Sequence, residues 1–138
     1  MGMYKNYSSE ALQLLGELLK DLSHNIYYNV RPDAVDERMN DFITVNSNNR
    51  WNERGVYQYT LINVNLFCRA KQHNIMPIAK TNKMVNTFLE KLPYNNGRFL
   101  FNDPVVVRTC TSDTLGFGYA TIQVRCSVNT TDKFITNN

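Results

Sequence analysis

The segment from Val56 to Ala70 alternates two kinds of side chain, and this pattern most constrains what the chain can fold into. One face of a predicted strand carries small and apolar side chains: Thr60, Ile62, Val64, Leu66, Cys68 and Ala70. Gln58 lies on the same face, nearer the start of the strand. The residues between them point the other way, because successive side chains of a β-strand lie on opposite faces of the sheet. A period of two held over this length predicts a half-buried strand that is longer than usual.

The second face of this strand is more apolar than a solvated face requires. It carries four large side chains between polar ones: Tyr57, Tyr59, Leu61 and Phe67. Exposed apolar surface of this kind usually marks an interaction site. We therefore predict that these four residues form part of an interface with a partner.

Length, charge and composition exclude several classes of protein. The chain has 138 residues, of which 43% are hydrophobic and 20% charged, so we expect one folded domain over residues 1–138. A formal charge of +3 is too small to indicate nucleic-acid binding by itself. No apolar run approaches the roughly 20 residues of a membrane span, and the polar N-terminus has no signal-peptide core. A cytoplasmic protein without membrane contact is predicted, with reduced thiols at Cys68, Cys110 and Cys126.

Two amphipathic helices are predicted. Leucines follow helical spacing after Ser9, which can cap a helix that runs to about Asn25. A second helix starts at Pro77, since proline lacks only a donor that is unpaired in a first helical turn. This helix ends before Pro93. One of its faces is lined by Ile78, Thr81, Val85, Phe88 and Leu92.

The strands complete the predicted fold. Phe42 to Val45 is a short strand, and the last two strands, Phe99 to Thr109 and Gly116 to Val128, form a hairpin with a bulge at Asn102-Asp103-Pro104. We predict an α+β fold: a four-stranded, mainly antiparallel sheet with two helices packed on one face. The other face is open to water or to a neighbouring subunit. Residues 26–41 are predicted to be irregular, 46–55 a polar loop and 130–138 a disordered tail.

Nothing in the sequence indicates catalysis. His24 and His73 are the side chains whose ordinary pKa lies near neutrality, and neither has an evident nucleophile beside it. The Gly116-Phe117-Gly118 segment lacks the following helix that a phosphate loop requires, so turn chemistry is the preferred interpretation. We predict that the protein is not an enzyme and has no catalytic residue and no cofactor.

An acidic cluster after the first helix is the one candidate for a metal site: Asp33, Asp36, Glu37 and Asp41. Calcium loops combine spaced oxygen ligands with a glycine turn, and this segment contains no glycine. A short helical turn capped by Asp33 is the preferred interpretation, so we predict no metal site.

The polar loop before the long strand contains the best binding patch, Arg50, Trp51 and Arg54. A tryptophan between arginines can stack on and hydrogen-bond to nucleic acid, but the same residue types mark protein–protein hot spots. Glu53 and several asparagines dilute the positive charge. We therefore favour a protein interface with an exposed Trp51, and the alternative is a loop whose Trp51 folds back on the sheet.

The order of elements resembles that of the tail-completion or tail-terminator proteins of long-tailed bacteriophages. The resemblance covers most of the chain and rests on these segments: the helix Ser9 to Asn25, the segment Tyr27-Tyr28-Asn29-Val30-Arg31-Pro32, the strand Asp41-Phe42-Ile43-Thr44-Val45, the long strand Gly55 to Ala70, the helix Ile78 to Leu92, and the hairpin that ends in Ala120-Thr121-Ile122-Gln123-Val124-Arg125. It is a pattern of element order rather than a signature motif. The tryptophan in the Asn46 to Gly55 loop departs from the family pattern.

The resemblance implies a structural function. Such proteins are α+β monomers that form a ring, often a hexamer, which caps the tail tube and contacts the head-side connector proteins. The implied location is the host cytoplasm during assembly and then the virion tail or neck. The main alternative is a small nucleic-acid-binding module that uses Trp51 and four arginines, Arg50, Arg54, Arg69 and Arg125. The second alternative is a small enzyme of unknown type.

Overall fold

A computed structural model describes residues 7–32, 35–36, 38–48, 50–70, 75–112 and 116–129. These residues form two helices and seven strands. Their order along the chain is α1 (Tyr7–Leu19), β1 (Ile26–Tyr28), β2 (Asp41–Ser47), β3 (Asn52–Arg54), β4 (Tyr57–Arg69), α2 (Ile78–Leu89), β5 (Tyr94–Asn95), β6 (Phe99–Ser112) and β7 (Phe117–Asn129).

All seven strands belong to one mixed sheet, which curls into a half-barrel. The strand order is β1-β2-β4-β7-β6-β5, and β3 pairs with the start of β4 beyond the end of β2. The pair β1–β2 is parallel and the other pairs are antiparallel. The central strands β4 and β7, of 13 residues each, are paired over their full length.

The prediction of a four-stranded sheet is wrong. The additional strands β1, β3 and β5 contain only three, three and two residues and lie in segments predicted to be irregular or to form loops. So short a segment cannot display a side-chain period. These strands form because the long strands beside them offer unpaired backbone N–H and C=O groups, which a neighbouring segment can satisfy.

The alternation that predicted the long strand is confirmed. From Tyr59 to Leu66 the side chains of β4 are buried on one face and more exposed on the other. The apolar faces of the long elements predict a core of nine residues, and α1 and α2 cover the buried face. Seven of the nine are buried in one cluster, and Leu22 and Val85 are partly buried against it; the seven are Leu15, Ile62, Val64, Leu66, Phe88, Ile122 and Val124.

Both helices differ from the prediction in detail. Helix α1 ends at Leu19, and a hydrogen bond from Leu22 N to Leu19 O continues the chain as a turn rather than as a helix to Asn25. In α2 the residue Ile78, predicted to be buried, is 57% exposed, whereas Met84 is buried. The buried face of α2 is therefore rotated from the one that the apolar spacing predicted.

The outer face of the sheet is not open along its whole length, which corrects the second part of the predicted architecture. Phe42, Phe67 and Phe117 form a second buried cluster there. Four partly buried side chains pack against it. Tyr27 lies in β1, Val35 and Met39 follow β1, and Tyr119 lies in β7. This end of the outer face therefore has a small core of its own.

The hairpin of β6 and β7 is confirmed, and so is its irregularity. The register shifts between Asn102 and Val105, and Asp103 has a φ of 52°, in the left-handed region that residues other than glycine rarely adopt. Two further register shifts follow before Thr111. A turn is predicted between the two strands from Ser112 to Leu115; Ser112 is the last residue of β6, and residues 113–115 lie outside the described residues, as does the predicted tail, 130–138.

Candidate functional site

The structure brings together part of the predicted interface, at the outer face of β4 and β7. Leu61 is directly opposite Arg125 in the register and is 39% exposed. The guanidinium carbon of Arg125 lies 4.2 Å from the centre of the Tyr59 ring, and that of Arg54 lies 5.4 Å from the same centre. We call Arg54, Tyr59, Leu61 and Arg125 the arginine–tyrosine patch.

The electrostatics of this patch are partly balanced. Arg125 Nη1 lies 3.8 Å from Asp103 Oδ2 at the bulge of β6. Arg54 Nη2 donates a hydrogen bond of 3.4 Å to the Tyr59 hydroxyl. Cation–π contacts of this kind contribute about 0.5–1 kcal/mol at exposed sites. The patch therefore combines charged, aromatic and aliphatic side chains, a composition typical of protein interfaces.

Two of the predicted interface residues lie elsewhere. Phe67 is only 4% exposed and stacks on Phe42 with ring centres 4.2 Å apart, so it belongs to the second cluster rather than to a free surface. Trp51 is half-buried and packs against the main core, so the prediction of an exposed Trp51 is wrong. Of the two remaining residues, Arg50 is exposed and Tyr57 is half-buried.

Trp51 fastens its loop to the start of α1. Its indole Nε1 donates a hydrogen bond of 3.0 Å to Ser8 Oγ, and its ring meets the edge of Tyr7 at a centroid distance of 6.0 Å. Both partners are more than 40 residues away in sequence, so no local pattern announces them. The alternative in which the loop folds back is closer to the structure, although the contact is made with α1.

Trp51→Phe is expected to lower the free energy of unfolding by about 1 kcal/mol, because it removes one partly buried hydrogen bond and keeps most of the ring packing. Urea denaturation followed by circular dichroism measures the change. Arg50→Ala is the matched control, because Arg50 is the residue before Trp51 and its side chain is exposed. This variant should change the free energy of unfolding by less than about 0.5 kcal/mol. Equal stability of Trp51→Phe and the parent would contradict an anchoring role for the indole.

A second exposed surface was missed by the sequence analysis. Val105, Val106 and Val107 of β6, which we call the valine edge, are 54%, 41% and 50% exposed. On its outer side β6 pairs with β5 only at Leu100 and Phe101, and no strand of the described residues covers the edge from 102 to 112. The run of three β-branched residues after Pro104 was the available signal.

All three valines lie in a stretch of β6, Asp103 to Thr109, in which every residue is exposed, so neither face of the strand is covered there. Val105 and Val106 pair in register with Gln123 and Ile122 and lie on opposite faces. The valine edge thus combines exposed apolar side chains with backbone groups that lack a strand partner on one side among the described residues, and this pairing is typical of a strand-addition site.

Polar side chains on the outer face line an open depression of about 300 Å³ between β1, β2, β4 and β7. Asn65 is one of the residues that line this depression. The amide nitrogen of Asn65 donates to Thr44 Oγ1 at 2.9 Å, and the amide oxygen of Asn65 accepts from Thr121 Oγ1 at 2.6 Å. These hydrogen bonds join three neighbouring strands. The Asn65 amide is therefore occupied in holding the sheet together rather than presented to a ligand.

The residues considered for catalysis and metal binding are dispersed. His24 is exposed, and His73 lies outside the described residues, as do Asp33 and Glu37. Asp36 is hydrogen-bonded to Arg38, which lowers the pKa of its carboxyl group, and Asp41 pairs with Lys80 at 3.2 Å. Within the described ranges, no three His, Cys, Asp or Glu side chains are grouped so as to hold a metal ion.

Two arginines of the nucleic-acid alternative have internal partners. Arg69 donates to the backbone oxygens of Met39 and Asp36 at 3.0 and 2.9 Å, and its guanidinium carbon lies 4.8 Å from the centre of the Phe117 ring. It thereby joins Asp36 and Met39 to the end of β4, beside Phe117 of the second cluster. Arg125 is engaged with Tyr59 and Asp103.

Membrane contact and sequence relatives add no further constraint. Neither α1 nor α2, the helices of the described part of the chain, is long and apolar enough to cross a membrane. No protein-family model matches the chain. A search of curated proteins finds none with significant sequence similarity to it.

Proposed function

We propose that this chain is a non-enzymatic structural subunit of a phage or prophage virion. In this proposal it self-associates into a ring that terminates the tail tube and joins it to the head-side connector. Assembly takes place in the host cytoplasm, and the finished ring lies in the tail or neck of the virion. The observation that carries the proposal is the valine edge of β6, and the order of elements in the sequence supports the choice of family.

The valine edge favours self-association because an exposed strand edge presents backbone N–H and C=O groups with which a strand of another subunit can pair. Native proteins usually protect such an edge with charges, proline, β-bulges, a very short strand or a covering loop. Strand β6 has Pro104 and three register shifts, but it contains 14 residues and still exposes three successive valines. Each apolar side chain removed from water in an interface contributes stabilisation of roughly 25 cal/mol per Å². Backbone hydrogen bonds to an added strand provide the geometric specificity.

The position of a second edge favours a ring. Strand β1 lies at the opposite end of the sheet from β6, and its last residue, Tyr28, is exposed, as is Val30 two residues later. When one edge of a subunit meets a different surface of the next, the interface is heterologous, and it closes into a ring when the rotation allows. The arginine–tyrosine patch, on the outer face between these two edges, is available to a tail-tube or connector protein.

The nucleic-acid alternative is less well supported. Stacking of bases requires an accessible aromatic platform beside free cations. Trp51 is hydrogen-bonded to Ser8, Arg69 holds backbone oxygens, and the main cluster of exposed apolar residues is aliphatic rather than aromatic.

Replacing two valines of the edge by lysine tests the proposal. Val105→Lys/Val107→Lys should keep the protein monomeric, because charged side chains at a strand edge oppose pairing with another strand. Light scattering over a series of protein concentrations, up to the solubility limit, gives the mass of parent and variant. We expect the parent to form a particle of defined mass several times that of the monomer, and the variant to remain a monomer with an unchanged circular-dichroism spectrum.

Ile78→Lys is the matched control, since Ile78 is exposed to a similar extent but lies on α2 and not in the valine edge. It should assemble as the parent does. A parent that stays monomeric at every concentration and binds single-stranded DNA in a salt-dependent way would replace the structural proposal by the nucleic-acid one. Equal assembly of the lysine variant and the parent would show that the valine edge is not the contact.

A further inference from the structure

The guanidinium group of Arg125, in the arginine–tyrosine patch, is placed on an aromatic ring with its hydrogen-bond donors accessible. Its carbon atom lies 4.2 Å from the centre of the Tyr59 ring, a separation typical of a cation–π contact. Its Nη1 atom lies 3.8 Å from Asp103 Oδ2, which is too far for a hydrogen bond, and 38% of the Arg125 side chain is exposed. Among the described residues this group has no hydrogen-bond acceptor. The N–H groups of Arg125 are therefore available to an external acceptor.

Arg54 supplies a second cation at the same ring. Its guanidinium group makes two hydrogen bonds, to the Tyr59 hydroxyl and to Glu53 O, and each is 3.4 Å long. Hydrogen bonds from a charged donor to a charged acceptor are usually about 2.7–2.9 Å long, so both of these contacts are weak. Glu53 and Arg54 are successive residues of β3, and their side chains point to opposite faces of the sheet. The carboxylate of Glu53 therefore does not neutralise the patch.

An apolar side chain lies beside these two cations. Leu61 is directly opposite Arg125 in the β4–β7 register and is 39% exposed. The patch thus presents two guanidinium groups and a leucine side chain on one surface. A matching partner carries carboxylates next to apolar side chains, because the electrostatic potentials of two surfaces in an interface are complementary.

We infer that the arginine–tyrosine patch binds an acidic segment of a neighbouring virion protein, with Arg125 as the residue that holds a carboxylate. This inference rests on the proposed structural function and names the chemistry of the partner. Arginine binds a carboxylate through two parallel N–H···O bonds, and stacking on Tyr59 fixes the plane in which those bonds form. The carboxylate of Asp103, which is close to Arg125 without being hydrogen-bonded to it, competes with that of the partner.

A protein partner fits the patch better than a nucleic acid does. A nucleic-acid backbone is held by several Lys or Arg side chains along a groove, and its bases stack on accessible rings. The patch has two arginines, one of which lies beside the carboxylate of Asp103. The ring of Tyr59 is itself in contact with both guanidinium groups. Exposed Leu61 adds a contact that suits a protein and not a phosphate.

Fluorescence anisotropy of a short labelled peptide of glutamate, leucine and serine tests the inference on the full-length chain. The same peptide with glutamine in place of glutamate lacks the carboxylates and keeps the length and the apolar residues. We expect the glutamate peptide to bind at least about fivefold more tightly at low salt, and the difference to shrink as added salt screens the charges. A single-stranded oligonucleotide of thymidine is the probe for nucleic acid.

Three substitutions identify the residue that binds the peptide. Arg125→Lys keeps the charge but loses the planar pair of donors, so it should weaken binding of the glutamate peptide at least about threefold. Asp103→Asn removes the competing carboxylate and should strengthen binding about twofold to fivefold, the range of an exposed ion pair. Asparagine tolerates the φ of 52° at this position. Arg38→Lys is the matched control, because Arg38 is an exposed arginine outside the patch, and it should bind as the parent does.

The inference is overturned if the glutamate and glutamine peptides bind equally, if Arg125→Lys binds as the parent does, or if Arg38→Lys loses as much affinity as Arg125→Lys. An oligonucleotide that binds more tightly than the glutamate peptide, and loses affinity in Arg125→Lys, would assign the patch to nucleic acid instead. Ring assembly is measured separately, by light scattering on the valine-edge variant. A failure of peptide binding is therefore distinguishable from a failure of assembly.

Discussion

Ile122→Asp should abolish folding. Ile122 is fully buried in the middle of β7, where its neighbours in the register are Val64 on β4 and Val106 on β6. An ionised carboxylate at this position loses its hydration and finds no cation among the buried residues of the main cluster, and the effective penalty is several kcal/mol per ion. Loss of the isoleucine side chain adds about 2–5 kcal/mol. Together these approach or exceed the 5–15 kcal/mol that stabilises a typical domain.

Circular dichroism and soluble yield measure the result for Ile122→Asp. Two control variants separate burial from charge and from the strand itself. Ile122→Val keeps an apolar side chain and should cost only about 0.5–1.5 kcal/mol. Thr109→Asp introduces the same carboxylate at an exposed position of the neighbouring strand and should fold normally. A soluble Ile122→Asp protein that melts like the parent would contradict the position of β7 in the core.

Phe42→Ala should lower the free energy of unfolding by about 3–5 kcal/mol, the usual cost of removing a buried phenylalanine ring. Phe42 is fully buried in the second cluster. Its ring stacks on Phe67 at 4.2 Å and meets the edge of Phe117 at 5.1 Å and of Tyr27 at 5.9 Å. Urea denaturation gives the change in midpoint and in free energy.

The control for Phe42→Ala is Leu61→Ala, which removes an apolar side chain from the same face of the sheet at an exposed position. Its effect should stay below about 0.5 kcal/mol. If both variants lost equally little stability, the outer face would be open along its whole length. The segment around and after β1 would then not cover it.

The longest elements could be predicted from the sequence because their patterns are local. The period of two in β4 and the leucine spacing of α1 each repeat often enough to identify a buried face. The hairpin of β6 and β7 follows from two adjacent strand patterns separated by a short turn segment. The nine predicted core residues could be identified for the same reason, since each lies on the apolar face of a long element, whereas the burial of Met84 was not predicted.

The number of strands could not be predicted. Strands β1, β3 and β5 are too short to show a period, and they pair because β2, β4 and β6 present unsatisfied backbone groups beside them. Their existence depends on which neighbour is close in space. The four-stranded prediction failed at these three positions for that reason.

The candidate site divides in the same way. The sequence by itself determined that Tyr59, Leu61 and Phe67 share one face of a long strand, because side-chain direction follows from the backbone period. Only the tertiary structure decided that Phe67 is covered by Phe42 and that Trp51 is anchored on Ser8. The exposure of the valine edge also depends on which segments of the chain lie beside β6. Burial is set by what lies across from a side chain, and packing of the whole chain supplies that neighbour.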